Sequence, residues 1–282
     1  MVATIGKEEG DLPVTTDWRS PTADTLEQWR RSYRDAVPFP HLVIDDFFER
    51  SLLSSVNSDA SSAPRADWTS HHTALQNKRM LDDPVSLPEE IARYFRVVYS
   101  QEFITLMERV TGIGSLLPDF SLYGGGLHEA GVHGHFEVHV DFQRHPTTGM
   151  RNRLALITYL NEGWTEEDGG KLELWNLKER KCYVRVAPIM GRTLLMGQSP
   201  DAAHGYPAPL PEGRTRRALI AYFYTESDDP VEIGSQNTHY LERPGLPPSR
   251  RALIALRRML PTPVVKVLRV GLTGVLRLRE RR

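Results

Sequence analysis

Apolar and polar positions follow two different periods along this chain. Up to about residue 115 the spacing is helical. TLEQWRRSY follows Asp24, a residue suited to capping, and LPEEIARYFRVVYSQEFITLMERVTGI reads as two helices, with Pro88, Glu89 and Glu90 fitting a first turn and Gly112 an end. Between them, PFPHLVIDDFF predicts a short buried strand at 42–44 and a helix over about 48–56, while SSAPRADWTSHH predicts turns. From residue 116 the texture shortens. SLYGGG, FEVHVDF, RLALITYLN, GGKLELWN, KCYVRVAP, RTLLMGQ and RRALIAYFYT are seven strand-like runs separated by Gly, Pro and Asp, the pattern of a β-sandwich or jelly roll. The expected fold class is therefore α+β with a mainly β core and an N-terminal helical layer.

The 282 residues suffice for one elaborated domain. The expected division is a flexible start over 1–22, a single domain over 23–230 (helical support 23–115, jelly-roll core 116–230), and a linker with a basic amphipathic tail over 231–282. The start is polar and acidic, without the basic-then-apolar order of a signal peptide, and no run reaches the 18 or more apolar residues of a spanning helix. A single cysteine, Cys182, leaves any metal to oxygen and nitrogen ligands. A cytoplasmic location is expected.

Charge adds one distinction. Residues 249–282 hold ten Lys or Arg against one acid, a net +9, so the other 248 residues carry −10 of the chain's net −1. In SRRALIALRRML, Leu253, Leu256 and Leu260 share a face. This pattern suits a peripheral membrane contact, at the inner face of the membrane, or docking on the acidic body or a second subunit. Nucleic acid is not expected, because aliphatic rather than aromatic residues alternate with the charges.

Chemistry concentrates in GLHEAGVHGHFEVHVDFQRHP, which holds five of the ten histidines. Residues two apart on a strand share a face, so His139 and Asp141 project together. A third ligand has to come from a distant strand, and His204, 65 residues on, lies just before the last core run. Two imidazoles and one carboxylate leave positions open on an octahedral ion, which suits iron(II) oxygen chemistry. An isolated H-x-D is more often a surface pair than a ligand pair. Its companions change the balance: Arg216 lies 12 residues after His204 on a face shared with Ala218 and Ile220, where its planar fork suits a carboxylate. Arg214 has the same parity and competes for that role.

HVD at 139–141, ITYLN at 157–161, GGKLELW at 169–175 and HGYPAPLPEGRTRRALIAYFYT at 204–225 together resemble the 2-oxoglutarate and iron(II)-dependent oxygenases, most closely the prolyl-4-hydroxylase-like branch. The resemblance spans 38–225, is densest over 122–224, and implies a cupin-like double-stranded β-helix. It implies that His139, Asp141 and His204 are the catalytic iron(II) ligands, that Arg216 rather than Arg214 holds the distal carboxylate of 2-oxoglutarate, and that the Tyr159 hydroxyl supports the same cosubstrate. Where the family often has Ser or Thr, this chain has Ala218. The implied reaction consumes O2 and 2-oxoglutarate, with ascorbate as an in vitro reductant, releases succinate and CO2, and hydroxylates a C–H bond.

Substrate identity does not follow from fold. A small-molecule or glycan substrate is favoured over a prolyl residue, and a protein substrate stands as the alternative. Tyr123, His133 and His135 are candidate substrate contacts. The two histidines are in register with His139 and read equally well as exposed loop residues, whereas His128 and His145 read as solvated. His71, His72 and Lys78 fall in a stretch that resembles a substrate-covering loop. The competing function is a cupin-like metal-binding or zinc-hydrolytic protein built on the histidine cluster, which gives Arg216 and Tyr159 no role. Oligomeric state is open.

Overall fold

The computed structural model describes residues 17–230 and 234–259. In chain order the elements are α1 (Ala23–Asp35), β1 (His41–Ile44), α2 (Arg50–Ser62), β2 (Thr69–His72), β3 (Gln76–Leu81), α3 (Glu89–Val98), α4 (Gln101–Thr111), β4 (Leu117–Pro118), β5 (Gly126–Ala130), β6 (His135–Val140), β7 (Arg151–Tyr159), β8 (Leu172–Asn176), β9 (Lys181–Val186), β10 (Thr193–Gly197), β11 (Ala203–Tyr206), β12 (Arg216–Thr225), β13 (His239–Tyr240) and α5 (Pro248–Met259). Local chemistry sets the helix ends. Thr22, not Asp24, caps α1 by accepting the Thr25 N–H, Ser100 caps α4, and Gly112 closes α4 in the left-handed region at φ 72°.

The strands run antiparallel in the order β1-β10-β7-β12-β5-β3-β6-β11-β8-β9, with β2 on β3, β4 on β12 and β13 on β6. This nearly closed barrel is a double-stranded β-helix. Its central strands are buried on both faces, which is why LALITYL and RALIAYFYT read as apolar runs without clean alternation. Parity sorts the two faces. Leu154, Leu156, Leu219, Ala221 and Phe223 pack outward against the helices with Phe47, Phe48, Leu53 and Phe103, whereas Ala155, Ile157, Tyr159, Ala218 and Tyr222 face the barrel interior. Replacing a fully buried Phe103 by Ala would cost about 3–5 kcal/mol. The helical layer thus braces one wall of the barrel and leaves its interior to the site.

Three details depart from the sequence reading. Within the run expected to be turns, Thr69–His72 forms β2, drawn into the sheet by pairing with β3. Residues 17–22 are tied down: Trp18 bridges Phe48 and its ring meets Phe47 and Phe103. In α5 it is Ile254 that is buried, against Leu75, Tyr240 and Leu246, while Leu256 is exposed. Residues 1–16 and 260–282, and with them most of the expected flexible start and basic tail, lie outside the described residues. No helix among the described residues is long and apolar enough to cross a membrane.

Candidate active site

Strands β6 and β11 pair so that His139 and His204 are direct cross-strand partners, and Asp141 follows His139 by one pleat on the same face. Their approach depends on Gly205, where a β-carbon would lie 2.8 Å from the Phe136 carbonyl oxygen. The Nε2 atoms of His139 and His204 stand 3.3 and 3.6 Å from the two carboxylate oxygens of Asp141, and all three side chains are buried. Each imidazole donates its Nδ1–H to a backbone carbonyl two residues earlier, His139 to Glu137 at 2.8 Å and His204 to Ala202 at 3.0 Å. That fixes the tautomer and turns both Nε2 lone pairs toward one point. Tyr222 donates its hydroxyl to Asp141 Oδ2 at 2.9 Å.

The protonation states suit a cation. Burial alone would raise the Asp141 carboxyl, but His204, the close approach of His139 and the Tyr222 hydroxyl hold it well below the usual carboxylate range. Burial depresses the imidazole of His204 to about 4, with Asp141 opposing and His139 adding to the fall. The triad therefore presents a neutral His204 imidazole and an anionic Asp141 at neutral pH, and with His139 it offers two nitrogens and one oxygen whose ligand atoms all lie within 4.8 Å of one another. This donor set fits iron(II).

A cavity of about 360 Å³ opens from the triad, and Arg216 lies on its wall. Arg216 is 5% exposed, and its guanidinium donates Nε–H to the Gly170 carbonyl at 3.0 Å and lies 4.2 Å from the Tyr206 ring centroid and 5.0 Å from that of Tyr159. Among the described residues no carboxylate pairs with it. The Tyr159 hydroxyl beside it is fully buried without a hydrogen-bond partner, and burial, opposed by Arg216, raises its pKa. A buried guanidinium and a buried phenol side by side suit an anion, because a carboxylate would accept from both. A dicarboxylate reaching from Arg216 toward the triad fits this seat. Arg214 is not part of this seat, because it is bound to Asp168 and lies over Trp164. Ala218 occupies the wall between Tyr159 and His128, with which it pairs on either side.

Of the expected substrate contacts, Tyr123 is on the cavity wall, half exposed, with its ring against Phe142 and His145. His133 and His135 are not on the wall. His133 is exposed at φ 60°, and both ring nitrogens of His135 are engaged by the carbonyls of His133 and Ala74. The histidines expected to be solvated are instead buried. His128 lines the cavity, donating Nε2–H to Gly125 and accepting from Lys78 at Nδ1; burial and then Lys78 keep it neutral, well below its ordinary pKa. His145 accepts the N–H groups of Thr147 and Thr148 at Nδ1 and turns Nε2 to Ser121 and Asp119, anchoring the loop that carries Tyr123. His71 and Lys78 reach the wall from the β2–β3 hairpin, and His72 instead hydrogen-bonds Asn77. Tyr222 went unnoticed in the sequence, although its parity with Arg216 and Ala218 on one strand was the available signal.

Residues 125–224 match the family model described as 2OG-Fe(II) oxygenase superfamily. No curated protein matches the sequence. Among solved structures, the chain is similar to an oxidoreductase of the 2OG-Fe(II) oxygenase family from Burkholderia pseudomallei, at 11% identity and TM-score 0.52 over 71% of this chain and 90% of that one. It is also similar to a Trichoplax adhaerens prolyl hydroxylase in complex with a hypoxia inducible factor peptide fragment, at 17% identity and TM-score 0.51 over 73% and 94%. At these identities the likeness is one of fold.

Proposed function

We propose that this chain, a member of the 2OG-Fe(II) oxygenase superfamily through residues 125–224, hydroxylates an unactivated C–H bond of a small molecule or glycan, with a prolyl residue in a peptide as the second substrate class. The observation that carries this reading is the meeting of a buried His-Asp-His set and a carboxylate-free buried arginine in one cavity. A zinc hydrolase would need the triad and would leave the Arg216 and Tyr159 seat without an occupant.

His139, Asp141 and His204 would hold iron(II). Bound there with 2-oxoglutarate and O2, iron supplies the oxidising chemistry, coupling decarboxylation to succinate and CO2 with oxygen insertion into a C–H bond. Asp141 offsets part of the ion's charge, and Tyr222 holds that carboxylate in one orientation. Arg216 and Tyr159 would grip the distal carboxylate at the deep end, which sets the direction in which the cosubstrate lies. Leu172, Ile157 and Phe142 line the wall with apolar surface and exclude bulk water from the reacting centre.

The basic tail belongs to the same proposal. α5 buries Ile254 on the body and leaves Leu256 exposed, so a membrane contact through the tail would not use the Ile254 face. A reducing, cytoplasmic setting suits a chain that has to keep iron in its reduced state.

The deciding experiment is succinate release from 2-oxoglutarate by the native chain with iron(II) and ascorbate, compared with Asp141→Ala. The native chain should turn over and the variant should lose at least 100-fold. Absence of turnover in fully metal-loaded native protein would overturn the proposal.

A further inference from the structure

Strand β11 is four residues long, and two of them, His204 and Tyr206, face the cavity. Residues two apart on a strand share a face, so one pleat fixes the metal ligand and the tyrosine side by side. Opposite them β6 carries an irregularity. His204 pairs with His139 but Tyr206 pairs with Phe136, so a two-residue step on β11 is matched by a three-residue step on β6. The extra residue bends β6 and lets Phe136 as well as His139 face the cavity, although their separation is odd. Phe136 then meets the Tyr206 ring edge to face, with centroids 6.3 Å apart at 80°, and Tyr206 is buried. A ring packed in this way offers a fixed face.

Arg216 lies on that face. Its guanidinium carbon is 4.2 Å over the Tyr206 ring, against 5.0 Å for Tyr159, and contacts of a cation with a ring are stronger away from water. Nε is committed separately, to the Gly170 carbonyl at 3.0 Å. A β-carbon at Gly170 would stand 2.7 Å from Leu210 Cδ2 and 3.5 Å from Arg216 Cδ, so glycine is what fits beside the arginine stem. The Tyr206 ring sets the plane of the guanidinium, and the Gly170 bond sets its rotation within that plane. With Nε so engaged, the parallel N–H groups that remain for bidentate binding of a carboxylate are those of Nη1 and Nη2. A lysine at 216 would reproduce the charge without the plane or the paired donors.

We propose that Tyr206 is a positioning residue for the cosubstrate: its ring holds Arg216 so that Nη1 and Nη2 together take the distal carboxylate of 2-oxoglutarate. This rests on the oxygenase reading above and adds a residue to it. Because Tyr206 stands one pleat from His204, one short strand sets both the metal end and the carboxylate end of the cosubstrate. Tyr206 acts through Arg216, so the ring and not the phenol oxygen carries the effect.

The test uses the full chain loaded with Co(II), whose visible absorption reports chelation without turnover, titrated with 2-oxoglutarate and with pyruvate. Pyruvate has the same 2-oxo acid head and lacks the distal carboxylate, so the ratio of the two affinities isolates the Arg216 end. The native chain should favour 2-oxoglutarate by at least about tenfold. In Tyr206→Leu that preference should fall by about tenfold while pyruvate binding changes less than about twofold, and Tyr206→Phe should keep the native preference. Arg216→Lys, which leaves Tyr206 in place, should lose the preference as well, and it decides the matter if the leucine variant does not fold. An unchanged preference in Tyr206→Leu, equal losses for both acids, failure of phenylalanine to substitute, or a retained preference in Arg216→Lys would each overturn the assignment. A native chain that binds both acids alike would overturn the oxygenase reading along with it.

Discussion

Tyr222 donates its hydroxyl to the Asp141 carboxylate across the barrel interior, 2.9 Å from Oδ2. The bond ties β12, which carries Arg216, to the residue that follows β6, which carries His139. Tyr222→Phe keeps the packing and removes the donor. Loss of a group that orients a metal-ligating carboxylate costs about 10–100-fold in metal affinity. Calorimetric titration with Co(II) or iron(II) should show at least a tenfold weaker complex and little change in melting temperature of the metal-free chain; equal affinity would show that Asp141 is held by the histidines alone.

Arg216 and Tyr159 make opposed predictions for stability and function. Arg216→Met removes a charge-assisted grip, which at about 1.5–3 kcal/mol corresponds to roughly a 10–100-fold rise in KM for 2-oxoglutarate. Tyr159→Phe removes a buried hydroxyl that has no partner in the free chain, so it should raise the melting temperature without cosubstrate while weakening cosubstrate binding several-fold. Thermal melts with and without 2-oxoglutarate check both signs at once.

The parts of this site visible in the sequence were those set by strand parity and by spacing along one chain. His139 with Asp141, and Arg216 with Ala218, follow from alternation alone, and the run at 204–225 carried His204 and Arg216 together. What escaped was whatever depends on a partner strand. His128 reads as a polar residue in a glycine-rich stretch, but its burial is decided by Lys78, fifty positions earlier, which the β3–β5 pairing brings to it. His135 shares the parity of His139 yet is consumed by the Ala74 carbonyl, a contact that no local pattern encodes. Likewise Thr69–His72 has a turn-like composition and becomes a strand only because β3 offers it a ladder.

Acid should loosen the fold through His128. Burial, and then the charge of Lys78, with smaller effects from His71 and Arg216, hold its pKa well below the ordinary 6.5. A depressed imidazole favours the folded state while neutral, so its contribution is fully present above pH 6.5 and is lost as pH falls from there toward the folded pKa. Melting temperature of the metal-free chain should therefore drop on going from pH 7 to pH 5. In His128→Asn, which cannot take up the proton, that drop should be smaller even if the variant is less stable at pH 7. Parallel pH profiles for the two proteins would remove His128 from the account.

Glu137 is the last case, and the sign depends on which partner is removed. Its carboxylate is wholly buried and receives Arg243 Nε at 3.0 Å and Arg250 Nη1 at 2.5 Å, so two residues before His139 the β6 strand clamps the segment that carries β13 and α5. The arginines are partly exposed, at 18% and 23% of their side chains, and can rehydrate if the acid is lost, whereas the acid cannot if they are. Breaking a buried pair from the side that strands the charge costs about 3–5 kcal/mol, while an apolar replacement of the buried member is often mild. Arg243→Ala with Arg250→Ala should thus destabilise the chain more than Glu137→Met does, measured by urea unfolding. Because Tyr240 on β13 pairs with His139, the double variant should also weaken metal binding, and Glu137→Met should do so less. The reverse order in unfolding midpoints would mean that the arginines, not the glutamate, bear the desolvation.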